Sequence, residues 1–117
     1  MKYLRVLLLT LIGCMLFSQV LAQSDKPLAL VMTADGPIEP AMLEYFKRGI
    51  GTAEQRGADI LIVQLNTPGG NIGTMLEIVT AIRSSTVPVV IYVAPRGALA
   101  ASAGALITMA GQASAMA

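Results

Sequence analysis

Behind an apolar leader, the chain alternates short aliphatic runs with amphipathic ones. Residues 23–27 are a polar start, and Leu28 to Thr33 is the first aliphatic run, readable as a strand. Asp35-Gly36-Pro37 turns the chain after it. Pro40 suits the first turn of a helix, where its missing N–H costs nothing. Met42, Phe46, Ile50 and Ala53 then recur at helical spacing on one face, and Glu44, Lys47, Arg48, Glu54 and Arg56 fall elsewhere. Gly57 serves as the C-terminal cap. Gly49 and Gly51 weaken this helix, and close packing against a neighbour is the simplest reason for them.

Ile60 to Leu65 is a nearly unbroken β-branched and aliphatic run, which predicts a strand buried on both faces, as parallel sheets require. Asn66-Thr67-Pro68-Gly69-Gly70 ends it sharply. Thr74 and Glu77 form a capping box, and Leu76, Val79 and Ile82 supply the buried stripe of a second helix. Pro88 opens a third apolar run, Val89 to Val93, and Pro95 to Gly97 turns the chain again. From Ala98 onward the residues are small and helix-forming. They predict a third helix through the alanine-rich tail, with Ser114 as filler inside it. Strand and helix thus alternate three times, which predicts an α/β fold of right-handed βαβ units on a parallel sheet. The third strand is expected to end the sheet as an unpaired edge.

The 117 residues allow one small domain, and nothing divides them into two. Composition is 55% hydrophobic and 13% charged, too apolar for disorder. Net charge is +1, with no basic cluster and almost no aromatic residues, which excludes nucleic acid as a partner. Lys2 and Arg5, the apolar run Val6 to Phe17 and the segment Val20-Leu21-Ala22 have the three-part order of a secretory signal, cleaved before Gln23. The apolar run is short for a membrane span. Removal of residues 1–22 takes Lys2 and Arg5 with it and changes the net charge from +1 to −1. Cys14 is the single cysteine, so no internal disulfide forms. Leu11-Ile12-Gly13-Cys14 resembles a lipoprotein cleavage box. The strongly apolar run after it favours reading Cys14 as part of the signal's apolar core.

Two segments carry chemistry. Pro68-Gly69-Gly70 follows a buried strand, and open α/β sheets place their sites at such ends. Consecutive glycines turn backbone N–H groups outward with no Cβ in the way, and a pair of such donors stabilises the oxyanion of acyl transfer. Alone, such a segment is far more often an ordinary turn than an oxyanion hole. Ala100-Ala101-Ser102-Ala103-Gly104 sets a serine among small neighbours at a helix start, where the dipole favours developing negative charge. Alone, Ser102 reads first as a helix cap in a tightly packed, alanine-rich helix. The two segments lie 32 residues apart, and each follows a buried strand.

Together with Leu65 and Asn66 before the first, these segments resemble the two signatures of the ClpP/crotonase superfamily of serine peptidases. Pro88-Val89-Val90-Ile91-Tyr92-Val93-Ala94-Pro95 with Gly97, and Gly57-Ala58-Asp59, resemble its NfeD branch. The resemblance covers residues 28–117. It implies a ClpP/crotonase-like fold whose first half is present here, with residues 23–117 forming the N-terminal part of a serine protease domain. It implies Ser102 as nucleophile, the N–H groups of Gly70 and Ala103 as oxyanion hole, and Gly69, Gly70 and Asn71 against a peptide substrate. It implies no metal or organic cofactor. Family members commonly add a membrane-spanning region and a small β-barrel. They associate with stomatin-like membrane proteins, whose apolar segments are the implied substrates. A homo-oligomer, exported to the periplasm or the outer face of the cytoplasmic membrane, is expected.

The NfeD branch uses a Ser–Lys dyad, and a histidine base is excluded because the chain contains none. In the family the lysine lies some tens of residues after the serine, whereas 15 residues follow Ser102 here. Lys26 lies in the polar start and Lys47 on a polar helix face, and neither offers the desolvation that a lysine base needs. Arg96 reads as a solvated strand-end charge. These 117 residues alone are therefore expected to be inactive. Two rival readings remain: a non-catalytic membrane scaffold of the same fold, and an acyl-CoA enzyme of crotonase type, which an export signal disfavours.

Overall fold

A computed structural model describes residues 26–117, together with Met1 and Tyr3. The expected signal segment and Cys14 lie outside the described residues. The elements in chain order are β1 (Ala29–Asp35), α1 (Pro40–Gln55), β2 (Ile60–Asn66), α2 (Ile72–Ser84), β3 (Val89–Val93), α3 (Ala103–Ala110) and β4 (Ala113–Met116). The strands form one sheet in the order β1-β2-β3-β4, and every pairing is parallel. The chain is an α/β protein, as its alternation of patterns predicts.

The sheet register builds the core. Met32 lies beside Val63 and Val63 beside Ile91, while Ala34, Leu65 and Val93 form the next row. All six are buried. The helices cover this face in one layer, α1 packed on α2 and α2 on α3. The opposite rows, such as Val31, Ile62 and Val90, are half-buried or exposed, Val31 at 59%. The expectation that β2 is buried on both faces is therefore corrected. Strands in simple sequential order, joined by crossovers of one hand, send every helix to the same side. Among the described residues nothing covers the other face.

Helix α1 begins with Pro40 at its first turn and ends at Gln55, with Arg56 as its C-terminal cap and Gly57 next at φ +60°. Its buried residues are Leu43, Phe46, Ile50 and Ala53, with Met42 on the flank. A Cβ on Gly49 would run into Met32, so close packing explains that glycine; Gly51 faces open space, so it does not explain the second. The capping box of α2 is also corrected. Asn71 is the cap, its Oδ1 accepting the Thr74 N–H at 2.9 Å, and Thr74 is buried inside the first turn. The buried stripe is Met75, Ile78 and Ile82, and Leu76 is 56% exposed. Val79 flanks the core.

The tail differs most from expectation. Residues 98–102 are irregular, α3 starts at Ala103, and the chain leaves it at Gly111 to add β4 beside β3. Ser114 is thus a strand residue, and β3 is an interior strand rather than an edge. A Cβ on Gly111 would meet the Ala113 carbonyl oxygen at 2.8 Å and Ile91 Cγ1 at 3.0 Å, so a glycine permits the reversal there. All four residues of β4 are exposed. The strand is held by backbone pairing, by Gln112 and by the Ala117 N–H on the Val93 carbonyl at 3.0 Å. Gln112 brackets Val89, accepting its N–H on Oε1 at 2.8 Å and donating its own N–H to the Val89 carbonyl at 2.9 Å. No helix among the described residues is long and apolar enough to cross a membrane.

Candidate active site

The loops leaving β1, β2 and β3 meet at the C-terminal edge of the sheet. Asn66 joins all three: its Nδ2 donates to Asp35 Oδ1 at 3.1 Å and its Oδ1 accepts the Leu99 N–H at 3.0 Å. One residue on, Thr67 bridges to Ala100, donating its N–H to the Leu99 carbonyl at 2.7 Å and accepting the Ala101 N–H at 3.1 Å. Gly70 bridges to Ile38, whose N–H donates to the Gly69 carbonyl at 2.9 Å and whose carbonyl accepts the Asn71 N–H at 2.8 Å. The Gly-Gly segment is thereby fixed to the β1 loop, and Thr67 to the segment entering α3.

Ser102 stands at the entry to α3 with φ 51° and ψ −116°. It has the one positive φ outside glycine among the described residues. A non-glycine residue in such a region costs on the order of 1–3 kcal/mol and persists only where its surroundings over-determine it. Its side chain makes no capping hydrogen bond, so the reading of Ser102 as an ordinary helix cap does not describe it. The residue is exposed, and a serine on a strained turn into a helix presents its Oγ outward.

Gly69 approaches this serine directly. A Cβ built on it would lie 2.9 Å from Ser102 Cβ and 3.4 Å from the Ala103 nitrogen, at φ +102°. A Cβ on Gly70 would meet the Ile38 backbone, its nitrogen at 2.7 Å. Both glycines are therefore demanded by close approach. Their N–H groups differ. The Gly69 N–H is bound to Thr67 Oγ1 at 3.1 Å, whereas the Gly70 N–H makes no hydrogen bond among the described residues. The Ala103 N–H, first in its helix, belongs to the donors that a helix leaves unpaired, and no loop or side-chain group of the described residues accepts from it. An exposed hydroxyl is thus flanked by two segments that each offer an unengaged backbone donor.

Of the residues singled out from sequence, Gly69, Ser102 and Ala103 come together, and Gly70 follows directly on Gly69. Asn71 is occupied as the α2 cap. Lys47 lies between Glu44 at 3.7 Å and Glu77 at 3.6 Å, half exposed, and Lys26 and Arg96 are exposed. The segments that form the site carry no lysine. Sequence reasoning gave no role to Ile38 or Thr67. Thr67 was within reach: Leu61, Val63, Leu65, Thr67 continues one inward-pointing alternation, so the polar residue at its end is buried.

A family model described as NfeD1b, N-terminal domain, matches residues 29–117. The chain belongs to this family. Membrane-bound protease PH1510 of Pyrococcus horikoshii is 41% identical to this NfeD1b-type chain over 105 residues, 90% of it and 23% of the relative. Membrane protein NfeD1b of Bacillus subtilis is 31% identical over 106 residues, 91% of the chain and 23% of the relative. The chain thus spans about a quarter of the curated relatives it matches. A serine-to-alanine variant of the 1510-N membrane-bound stomatin-specific protease superposes with a TM-score of 0.78 at 40% identity, covering 79% of this chain and 44% of that one. A lysine-to-alanine variant of 1510-N, in complex with a substrate peptide, gives 0.77 at 42% identity, covering 78% and 42%. ClpP1 of Listeria monocytogenes gives 0.55 at 25% identity, covering 69% of the NfeD1b-type chain and 46% of its own, so the fold is ClpP-like.

Proposed function

We propose that this chain forms part of a serine endopeptidase that cleaves apolar segments of membrane-associated, stomatin-like proteins through an acyl-enzyme on Ser102. The observation that carries the reading is the conformation of Ser102: strained, exposed and unused as a cap, beside a glycine pair. Ser102 Oγ attacks the scissile carbonyl carbon and gives its proton to a base. The oxyanion that forms takes hydrogen bonds from the Gly70 and Ala103 N–H groups. The C–N bond then breaks, the leaving amine takes the proton, and water hydrolyses the ester to free the carboxylate and Ser102. Gly69, Gly70 and Asn71 line the path of the peptide, where small or short side chains leave room for its backbone.

The base in this proposal is a lysine from outside these 117 residues. The complex of a lysine-to-alanine 1510-N variant with its substrate peptide supports that assignment. Export and homo-oligomeric assembly complete the reading. The test uses full-length protein and an apolar peptide. Ser102→Ala should abolish cleavage, and a serine-directed phosphonate should label the wild type at Ser102 alone. Cleavage at the wild-type rate by the alanine variant would overturn the assignment.

A further inference from the structure

We propose that Thr67 is a positioning residue of this site: it sets the spacing between the Ser102 hydroxyl and the Gly70 N–H. The inference rests on the reading of those two groups as nucleophile and oxyanion donor. Thr67 is 0% exposed, and it and Thr74 are the buried polar residues among those described. Thr74 lies in the first turn of α2 and gives its backbone N–H to the cap. The burial of Thr67 serves three contacts, each one or two residues from a reacting group.

Its backbone carbonyl accepts the Ala101 N–H at 3.1 Å, immediately before Ser102. Its Oγ1 accepts the Gly69 N–H at 3.1 Å, immediately before Gly70. Its Cγ2 occupies the space that a Cβ on Gly104 would need, two residues after Ser102. One residue therefore joins both loops and the start of α3, its carbonyl holding the segment before Ser102, its hydroxyl the glycine pair and its methyl the first turn of α3. The Oγ1 bond also sorts the two consecutive glycine donors. It turns the Gly69 N–H inward and leaves the Gly70 N–H without a partner. A buried N–H needs an acceptor, so without Oγ1 this peptide is driven to turn toward another one, carrying Gly70 with it. The methyl group, packed against Gly104, restricts χ1 of Thr67 and so keeps Oγ1 aimed.

Thr67→Val retains the shape and removes the hydroxyl; Thr67→Ser retains the hydroxyl and removes the methyl. Both are made in the full-length protein beside wild type and Ser102→Ala, with kcat, KM and the rate of phosphonate labelling measured for the folded fraction. If Ser102→Ala cleaves like wild type, the nucleophile reading fails and the inference falls with it, whatever Thr67 does. With an inert Ser102→Ala, the valine variant should lose roughly 10- to 100-fold in kcat and in labelling rate, the range for displaced catalytic geometry, with KM within about twofold. The serine variant should keep kcat within about threefold while melting at a lower temperature, because the loss of Cγ2 leaves space beside Gly104. A merely structural threonine would lower the melting temperature in both and leave kcat in place. A valine variant with kcat within about twofold of wild type overturns the inference. Should the valine variant not fold, Thr67→Ala beside Thr67→Ser decides: a loss of about tenfold or more in kcat in the alanine variant, with the serine variant within about threefold, supports the hydroxyl, and an alanine variant within about twofold of wild type refutes it.

Discussion

Replacing Ser102 by glycine should stabilise the protein while destroying its activity. The side chain sits at φ 51° and ψ −116° and makes no capping bond. Glycine removes a backbone penalty of about 1–3 kcal/mol for a side chain held in such a region. Against this, the extra freedom of glycine in the unfolded chain costs about 0.5–1 kcal/mol. The expected net gain is about 0–2.5 kcal/mol, the difference of those two ranges, with about 1 kcal/mol at its centre. Alanine keeps the Cβ and hence the strain, so Ser102→Ala should lie within about 0.5 kcal/mol of wild type. The informative quantity is the glycine-minus-alanine difference, since both variants lose the hydroxyl. Urea unfolding of the three full-length proteins, fitted with a common m-value, reads it as a shift in midpoint. A glycine variant no more stable than the alanine variant would refute the claim that strain is stored at this residue, and would leave Ser102 a plain turn position.

Gly70→Ala should cost both stability and turnover. Its Cβ would lie 2.7 Å from the Ile38 nitrogen, so overpacking of about 1–3 kcal/mol is expected in thermal unfolding. Displacement of the donor should lower kcat on the order of 100-fold. Asn71→Ala should destabilise by about 1 kcal/mol through loss of the α2 cap, with Asn71→Asp retaining it; parallel denaturation curves check this.

Much of the sheet was legible because its strands are aliphatic runs bounded by turn residues. Val89 to Val93 matches β3 residue for residue, and Pro40 and Gly57 mark the ends of α1. The stripe of α2 was right at Ile82 and off by one position at Leu76, because Met75, Leu76 and Val79 are all apolar and periodicity alone does not say which faces the sheet. The layer arrangement was hidden for a related reason. Ile60, Ile62 and Val90 are aliphatic whether or not anything covers them, so composition could not reveal the open face. β4 was missed because Ala113, Ser114, Ala115 and Met116 carry no strand preference, and tertiary pairing with β3 overrides their helical one. At the site, the resemblance to the ClpP/crotonase signatures pointed to Gly69, Gly70, Ser102 and Ala103. The bridge from Gly70 to Ile38 spans 32 positions and leaves no local trace.

The bracket that Gln112 makes around Val89 governs which alignment β4 adopts. All four side chains of this strand are exposed, so neighbouring alignments are nearly equal in energy, because a slip would move no residue from core to solvent. Two hydrogen bonds to one residue, at 2.8 and 2.9 Å, instead select a single alignment from one end. The strand therefore behaves like a zip fastened at Gln112. Loosening that fastening, by Gln112→Ala, should raise amide hydrogen exchange along Ala113–Met116 ahead of the rest of the sheet.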